Sequence, residues 1–150
     1  MAFYGSDNAA LKGIHPLSPQ WGVKDPAELY DVLCGIWCPE TCAPRLRKDW
    51  SVENRTLGQC SVTAFLVQDI FGGQVFGIEQ PGGNFHCYNS VDGVIFDLTS
   101  EQFGGRPLSY ENNPLQSREA HFAKEEKRLR YELLKKKLKE RGNQNGSDRA

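Results

Sequence analysis

Apolar positions recur at two different periods along this chain, and the change from one to the other marks its elements. Leu29, Val32, Leu33, Ile36 and Trp37 fall at helical spacing and form one stripe. Ahead of them stands Asp25-Pro26-Ala27-Glu28. Asp25 can cap a helix, Pro26 suits its first position, and Glu28 sits where a capping-box acid would. Pro39 is expected to stop that helix. A second helix is predicted over residues 60–71, SVTAFLVQDIF following Cys60, with Gly72-Gly73 ending it. The period then shortens. Val75, Phe76 and Ile78 predict a strand over 74–78. Asp92-Gly93 between two β-prone runs, 84–91 and 94–98, predicts a two-residue hairpin. From 118 to about 141 a narrow stripe of Phe122, Leu129, Leu133, Leu134 and Leu138 among many charges predicts a long C-terminal helix.

Between these elements the segments 38–54 and 100–116 are rich in turn residues, and residues 1–24 read as an irregular arm. GNQNGSDRA, residues 142–150, reads as a disordered polar tail. The expectation is an α+β fold: one domain over 25–141, its helices packed on a small antiparallel sheet. A length of 150 residues agrees with one domain. Hydrophobic residues make up 39% and charged residues 25%, an ordinary globular balance.

Charge and cysteine usage narrow the function classes. With 18 basic and 19 acidic residues the chain has no overall electrostatic footprint for nucleic acid or an acidic membrane. The longest apolar stretch, residues 62–71, is interrupted by Thr63, Gln68 and Asp69, so no bilayer span is expected. MAFYGSDNAALKG lacks the basic and apolar regions of a secretory signal. Five cysteines without such a signal point to reduced thiols and a cytoplasmic location.

The chemistry gathers on Cys60, His86 and Asp97. A thiol at a helix N-terminus meets unpaired N–H groups and the positive end of the dipole, which favours the nucleophilic thiolate. His86 and Asp97 lie on the two strands of the predicted hairpin. If Asp92-Gly93 is the whole loop, Val91 pairs with Val94, Tyr88 faces Asp97, and His86 shares a face with Asp97 at roughly 5–8 Å between Cβ atoms. A three-residue loop would put Asp97 behind the sheet. In a Cys–His–Asp set the thiol attacks a carbonyl carbon, the imidazole shuttles the proton, and the acid fixes the ring.

NRTLGQCSVTAFLVQDIFGG at 54–73, FHCYNSVDGVIFDLTSEQF at 85–103 and RLRYELLKKKL at 128–138 resemble the YunG-like group of bacterial proteins. The H-x-x-N…G…D-L-T stretch is also similar to the papain-like and transglutaminase-like cysteine enzymes. That resemblance implies a papain/transglutaminase-like architecture and matches Cys60, His86 and Asp97 to the catalytic positions. Two departures stand out: Cys87 after the histidine, where an aromatic is usual, and Arg55 in place of a proline. Neither occupies one of the three positions. For the oxyanion hole the Cys60 N–H is one natural donor. Papain-like enzymes place a side-chain amide six residues before the nucleophile, where Asn54 stands; Gln59 competes as the thiol's neighbour. Trp50 is expected to line the cleft, and Tyr88 to stand beside it.

The leading expectation is therefore a thiol-dependent amide or acyl hydrolase, or acyltransferase, working through a Cys60 thioester. Its partner would be a peptide, amide or other acyl substrate, with no cofactor, nucleic acid or membrane. The alternative is a non-catalytic binding module that keeps the fold, using the 118–141 helix and the 100–116 loop for contacts. Cys34, Cys38 and Cys42 form C-x3-C-x3-C, which differs from C-x2-C zinc spacing and lacks an evident fourth ligand, so no metal site is expected.

Overall fold

The computed structural model describes residues 3–148, with side chains through Arg141. Four helices, α1 Pro26–Cys34, α2 Cys60–Phe71, α3 Arg118–Phe122 and α4 Glu125–Asp148, accompany three strands, β1 Gln74–Glu79, β2 Phe85–Val91 and β3 Val94–Phe96. The strands form one antiparallel sheet in the order β1-β2-β3. The fold is thus α+β, helices on a small sheet. No helix among the described residues is long and apolar enough to cross a membrane.

The β2–β3 hairpin closes through Asp92 and Gly93, both at positive φ (51° and 80°), as a two-residue turn whose twist matches the strands requires. Val91 pairs with Val94, Ser90 with Ile95 and Asn89 with Phe96. This register fixes which side chains share a face, because a slip of one residue would turn each over. α2 lies across the face carrying Cys87, Asn89 and Val91; Asn89 Nδ2 donates to the Ala64 carbonyl in mid-helix at 2.9 Å. Phe65, Leu66 and Ile70 of α2 meet Phe96 and Val75 in the core.

α1 is capped by Asp25, whose carboxylate accepts from the Glu28 N–H at 2.8 Å. It ends at Cys34, before Pro39. Gly35, Ile36 and Trp37 turn back their N–H groups onto Val32 and Leu33, which buries Ile36 and Trp37 without a further helical turn. Pro39 instead opens a 3-10 turn, Pro39–Thr41.

The C-terminal helix differs from expectation in three respects. It breaks at Ala123-Lys124, where neither Pro nor Gly stands, and both pieces reach Asp69 of α2. Arg118 on α3 pairs with Asp69 of α2 at 2.6 Å, whereas Tyr131 on α4 donates to the other oxygen of Asp69. The stripe that packs is Tyr131, Leu134 and Leu138; Leu129 is 53% exposed. The backbone of α4 is recorded to Asp148, past the expected helix end near 141, so the tail expected over 142–150 starts in helical backbone, and its side chains lie outside the described residues. The arm expected over 1–24 is, from residue 3 on, irregular and built around two 3-10 turns, yet it belongs to the core: Phe3, Leu11, Ile14, Trp21 and Val23 are buried in it.

Candidate active site

A cleft of about 940 Å³ opens where the first residue of α2, the start of β2, the loop after β3 and the α3–α4 junction meet. Cys60, His86 and Cys87 all line it. Cys60 is the first residue of α2, and among the described residues no side chain caps that helix. Its opening N–H groups are therefore left without a side-chain acceptor. The residue before it but one, Gly58, is held at φ 71°. A Cβ there would stand 2.5 Å from Cys42 Sγ and 3.0 Å from the Ala43 nitrogen, so this approach admits no side chain.

His86 and Asp97 meet in the interior. His86 Nε2 lies 2.6 Å from Asp97 Oδ2, with the residues 2% and 1% exposed. The two-residue turn sets this geometry: once Val91 faces Val94, the hairpin delivers Asp97 to the face of His86 just beyond the last paired residue of β3. The carboxylate is fully occupied. Tyr110 Oη donates to Oδ2 at 2.8 Å, while the Thr99 N–H and Oγ1 donate to Oδ1 at 3.1 and 3.3 Å. The Asp97 backbone is pinned too, its N–H donating to the Tyr4 carbonyl at 3.0 Å. Tyr4 in turn stacks on Tyr110 at 3.9 Å, and Phe103 presents its edge to the imidazole at 4.7 Å.

With Nε2 engaged, Nδ1 is the nitrogen left over. It is buried and has no hydrogen-bond partner of normal geometry. The sulfur of Cys60 is nevertheless close enough to bias the ring. Burial alone would lower the His86 pKa, but hydrogen bonding to Asp97 and Cys60, together with their charges, carries it to about 10. The Cys60 thiol is driven well below its ordinary value. The neighbouring Cys87 thiol does most to favour the thiolate; burial opposes this, and the adjacent positive His86 ring adds to the lowering. The Cys87 thiol is held protonated by the same contact. In its protonated form Cys60 can instead donate to the Phe85 carbonyl, 3.8 Å away.

The remaining expected site residues stand elsewhere. Asn54 closes a tight turn with Ser51 and does not line the cleft. Gln59 is wholly buried; Nε2 donates to the Cys38 carbonyl at 3.0 Å, so its amide points into the protein. Trp50 packs against the core with Nε1 donating to the Arg55 carbonyl. Tyr88 lies behind the dyad, its hydroxyl donating to the Tyr110 carbonyl and accepting from Asn113. Neither Asn54 nor Gln59 lines the cleft, which leaves the Cys60 N–H of the expected oxyanion donors.

Comparison with known proteins bears on the same stretch. A family model described as YunG protein matches residues 25–143. The chain belongs to the YunG family. It is 39% identical over 82 residues to the uncharacterized protein YunG of Bacillus subtilis, covering 55% of this chain and 70% of that one. No solved structure matches it. The family match begins at Asp25, so Tyr4, which pins Asp97, lies outside it.

Several residues at the site carried no signal in the sequence. Cys87 stands beside the sulfur, although it appeared only as a departure from a motif. Tyr110 sits in an aperiodic loop; an aromatic among polar turn residues was the one hint available. Gln102 lines the cleft and latches it, accepting from the Gly58 N–H at 3.3 Å and donating to the Thr99 carbonyl at 3.0 Å. His121 is 7% exposed, lines the cleft, and among the described residues has no hydrogen-bond partner on either ring nitrogen. Cys34 ends α1, and Cys38 and Cys42 flank the turn Pro39–Thr41; burial raises the pKa of Cys34 and Cys42. Among the described residues no three His, Cys, Asp or Glu side chains are placed to hold a metal ion.

Proposed function

We propose that this protein is a cysteine-dependent acyl hydrolase or acyltransferase, with Cys60 as nucleophile, His86 as proton carrier and Asp97 as the group that positions the ring. The observation carrying this reading is the His86 Nε2–Asp97 Oδ2 contact of 2.6 Å, which leaves Nδ1 for a thiol at an uncapped helix start. The division of labour is the one papain-like and transglutaminase-like enzymes use.

The resting state is an ion pair, because the thiol pKa is depressed and the imidazole pKa raised to about 10. The thiolate adds to the acyl carbon, and charge passes to the carbonyl oxygen, to which the first N–H groups of α2 can donate. As the tetrahedral adduct collapses, imidazolium Nδ1–H protonates the leaving amine, and a thioester to Cys60 remains. His86, now neutral, takes a proton from water or from an acceptor amine. That nucleophile displaces the sulfur, and the ion pair returns. His86 thus begins the cycle as an acid.

Limiting iodoacetamide at pH 7, read by peptide mass, tests the resting state. Cys60 is expected to react faster than the other four cysteines, and His86→Ala to slow it about tenfold or more. If the five thiols react alike, or if His86→Ala leaves the Cys60 rate unchanged, the reading fails.

A further inference from the structure

The chain as a whole is nearly neutral, but its cleft is not. Arg45, Arg106, Lys124 and Lys127 line it, and among the described residues none of the four makes an ion pair. The one carboxylate in the lining, Glu126, is already bonded to buried Arg130. With 18 basic and 19 acidic residues overall, this segregation does not follow from composition.

The cations come from three separate walls. Arg45 stands on the 3-10 turn Pro44–Asp49, Arg106 on the loop after the turn Ser100–Phe103, and the two lysines at the α3–α4 junction. A single phosphate would be met by cations gathered on one segment, whereas these are spread over three. The volume lies at the upper end of ordinary ligand sites, roughly 300–1,000 Å³. His121 adds an independent sign of a missing partner: a polar ring, more than nine-tenths buried, lining the cleft with both nitrogens unpartnered. Burial, and after it the charges of Lys127 and Arg130, hold it neutral, so it keeps one N–H to donate to an anion.

Building on the thioester reading of Cys60, we infer that the cleft takes an acidic peptide segment, with carboxylates on either side of the reacting acyl group. Arginine suits carboxylate through paired N–H donors, and lysine adds point charge that steers the segment in.

Binding can be read apart from chemistry. A fluorescein-labelled, glutamate-rich hexapeptide, its glutamine counterpart and its lysine counterpart are titrated against the intact protein by anisotropy. The glutamate peptide is expected to bind about tenfold tighter than the glutamine one at low salt, the lysine peptide weakest, with the preference shrinking as salt screens the cleft. Lys124→Glu/Lys127→Glu should abolish the preference, while Lys124→Arg/Lys127→Arg keeps it. Equal binding of glutamate and glutamine peptides, no binding of either, or a preference indifferent to the charge reversal overturns the inference. Iodoacetamide labelling of Cys60 is followed in parallel. An unreactive Cys60 with an intact glutamate preference sinks the thiol reading and leaves the acidic-ligand cleft standing; the converse pattern sinks only the latter.

Discussion

His86 and His121 both line the cleft and are 2% and 7% exposed, but the hairpin holds one protonated up to about 10 and the helical wall holds the other neutral down to about 4. Burial pushes both imidazoles toward the neutral form. The difference lies in what each region sets beside the ring. The hairpin supplies a buried carboxylate held by three further donors, so the positive ring is matched. At the α3–α4 junction, burial is joined by Lys127 and Arg130, which oppose a second positive charge. One buried residue type therefore serves as half of an ion pair on one wall and as a neutral donor on the other.

Removing the acid should erase that contrast with the largest effect. Asp97→Ala leaves His86 Nε2, Tyr110 Oη and the Thr99 donors facing a hole, and breaking a buried pair of this kind costs about 3–5 kcal/mol. The urea midpoint should fall accordingly near neutral pH. The pH profile sharpens the point. His86 has a folded-state pKa of about 10 against an ordinary value of 6.5, so its stabilising contribution is complete below 6.5 and is lost as pH rises through 10. Asp97→Ala should remove that alkaline loss. An unchanged midpoint would mean that the dyad contributes nothing to the fold.

Tyr110→Phe should act in the same direction and less. It deletes the 2.8 Å hydrogen bond to Asp97 Oδ2 but keeps the ring stacked against Tyr4. Hydrogen bonds to charged groups contribute about 1.5–3 kcal/mol. A urea midpoint equal to that of the wild type would show that the hydroxyl adds nothing to carboxylate already held by Thr99.

What was legible in the sequence divides along the same two walls. The hairpin is local: Asp92-Gly93 fixes the turn, the turn fixes the parity, and parity places Asp97 on the face of His86. Cys60 at a helix start is likewise visible in its flanking glycines and apolar run. The helical wall depends on contacts between residues far apart in sequence. Nothing at Ala123-Lys124 announces a break, nor that Arg118 and Tyr131 on either side of it both reach Asp69. Gln59 shows the limit of adjacency. It is next to the nucleophile, yet its side chain follows the entry to α2 inward to Cys38 and away from the cleft. Tyr4, in an arm read as irregular, reaches Asp97 across more than ninety residues of sequence, a pairing that no local pattern encodes.

The smallest effect is expected on the helical wall, from His121→Phe. The ring packs at 4.6 Å on Phe65 and 4.7 Å on Phe122, contacts that phenylalanine can keep, and no hydrogen bond within the protein is lost. Near pH 7 the two proteins should differ by less than about 1.5 kcal/mol, as for volume-conserving core exchanges. Acid separates them. His121 has a folded-state pKa of about 4, below its ordinary 6.5, so between those values the unfolded chain binds a proton that the folded one refuses. Its contribution is present above 6.5 and lost as pH falls toward 4. Phenylalanine has no such loss, so the urea midpoint of the variant should decline less on going from pH 7 to pH 4. The saving is on the order of 1–2 kcal/mol once solvent screening of the neighbouring cations is allowed for. Parallel acid limbs would mean that His121 already accepts a proton in the folded protein, and the contrast between the two walls would then be one of position alone.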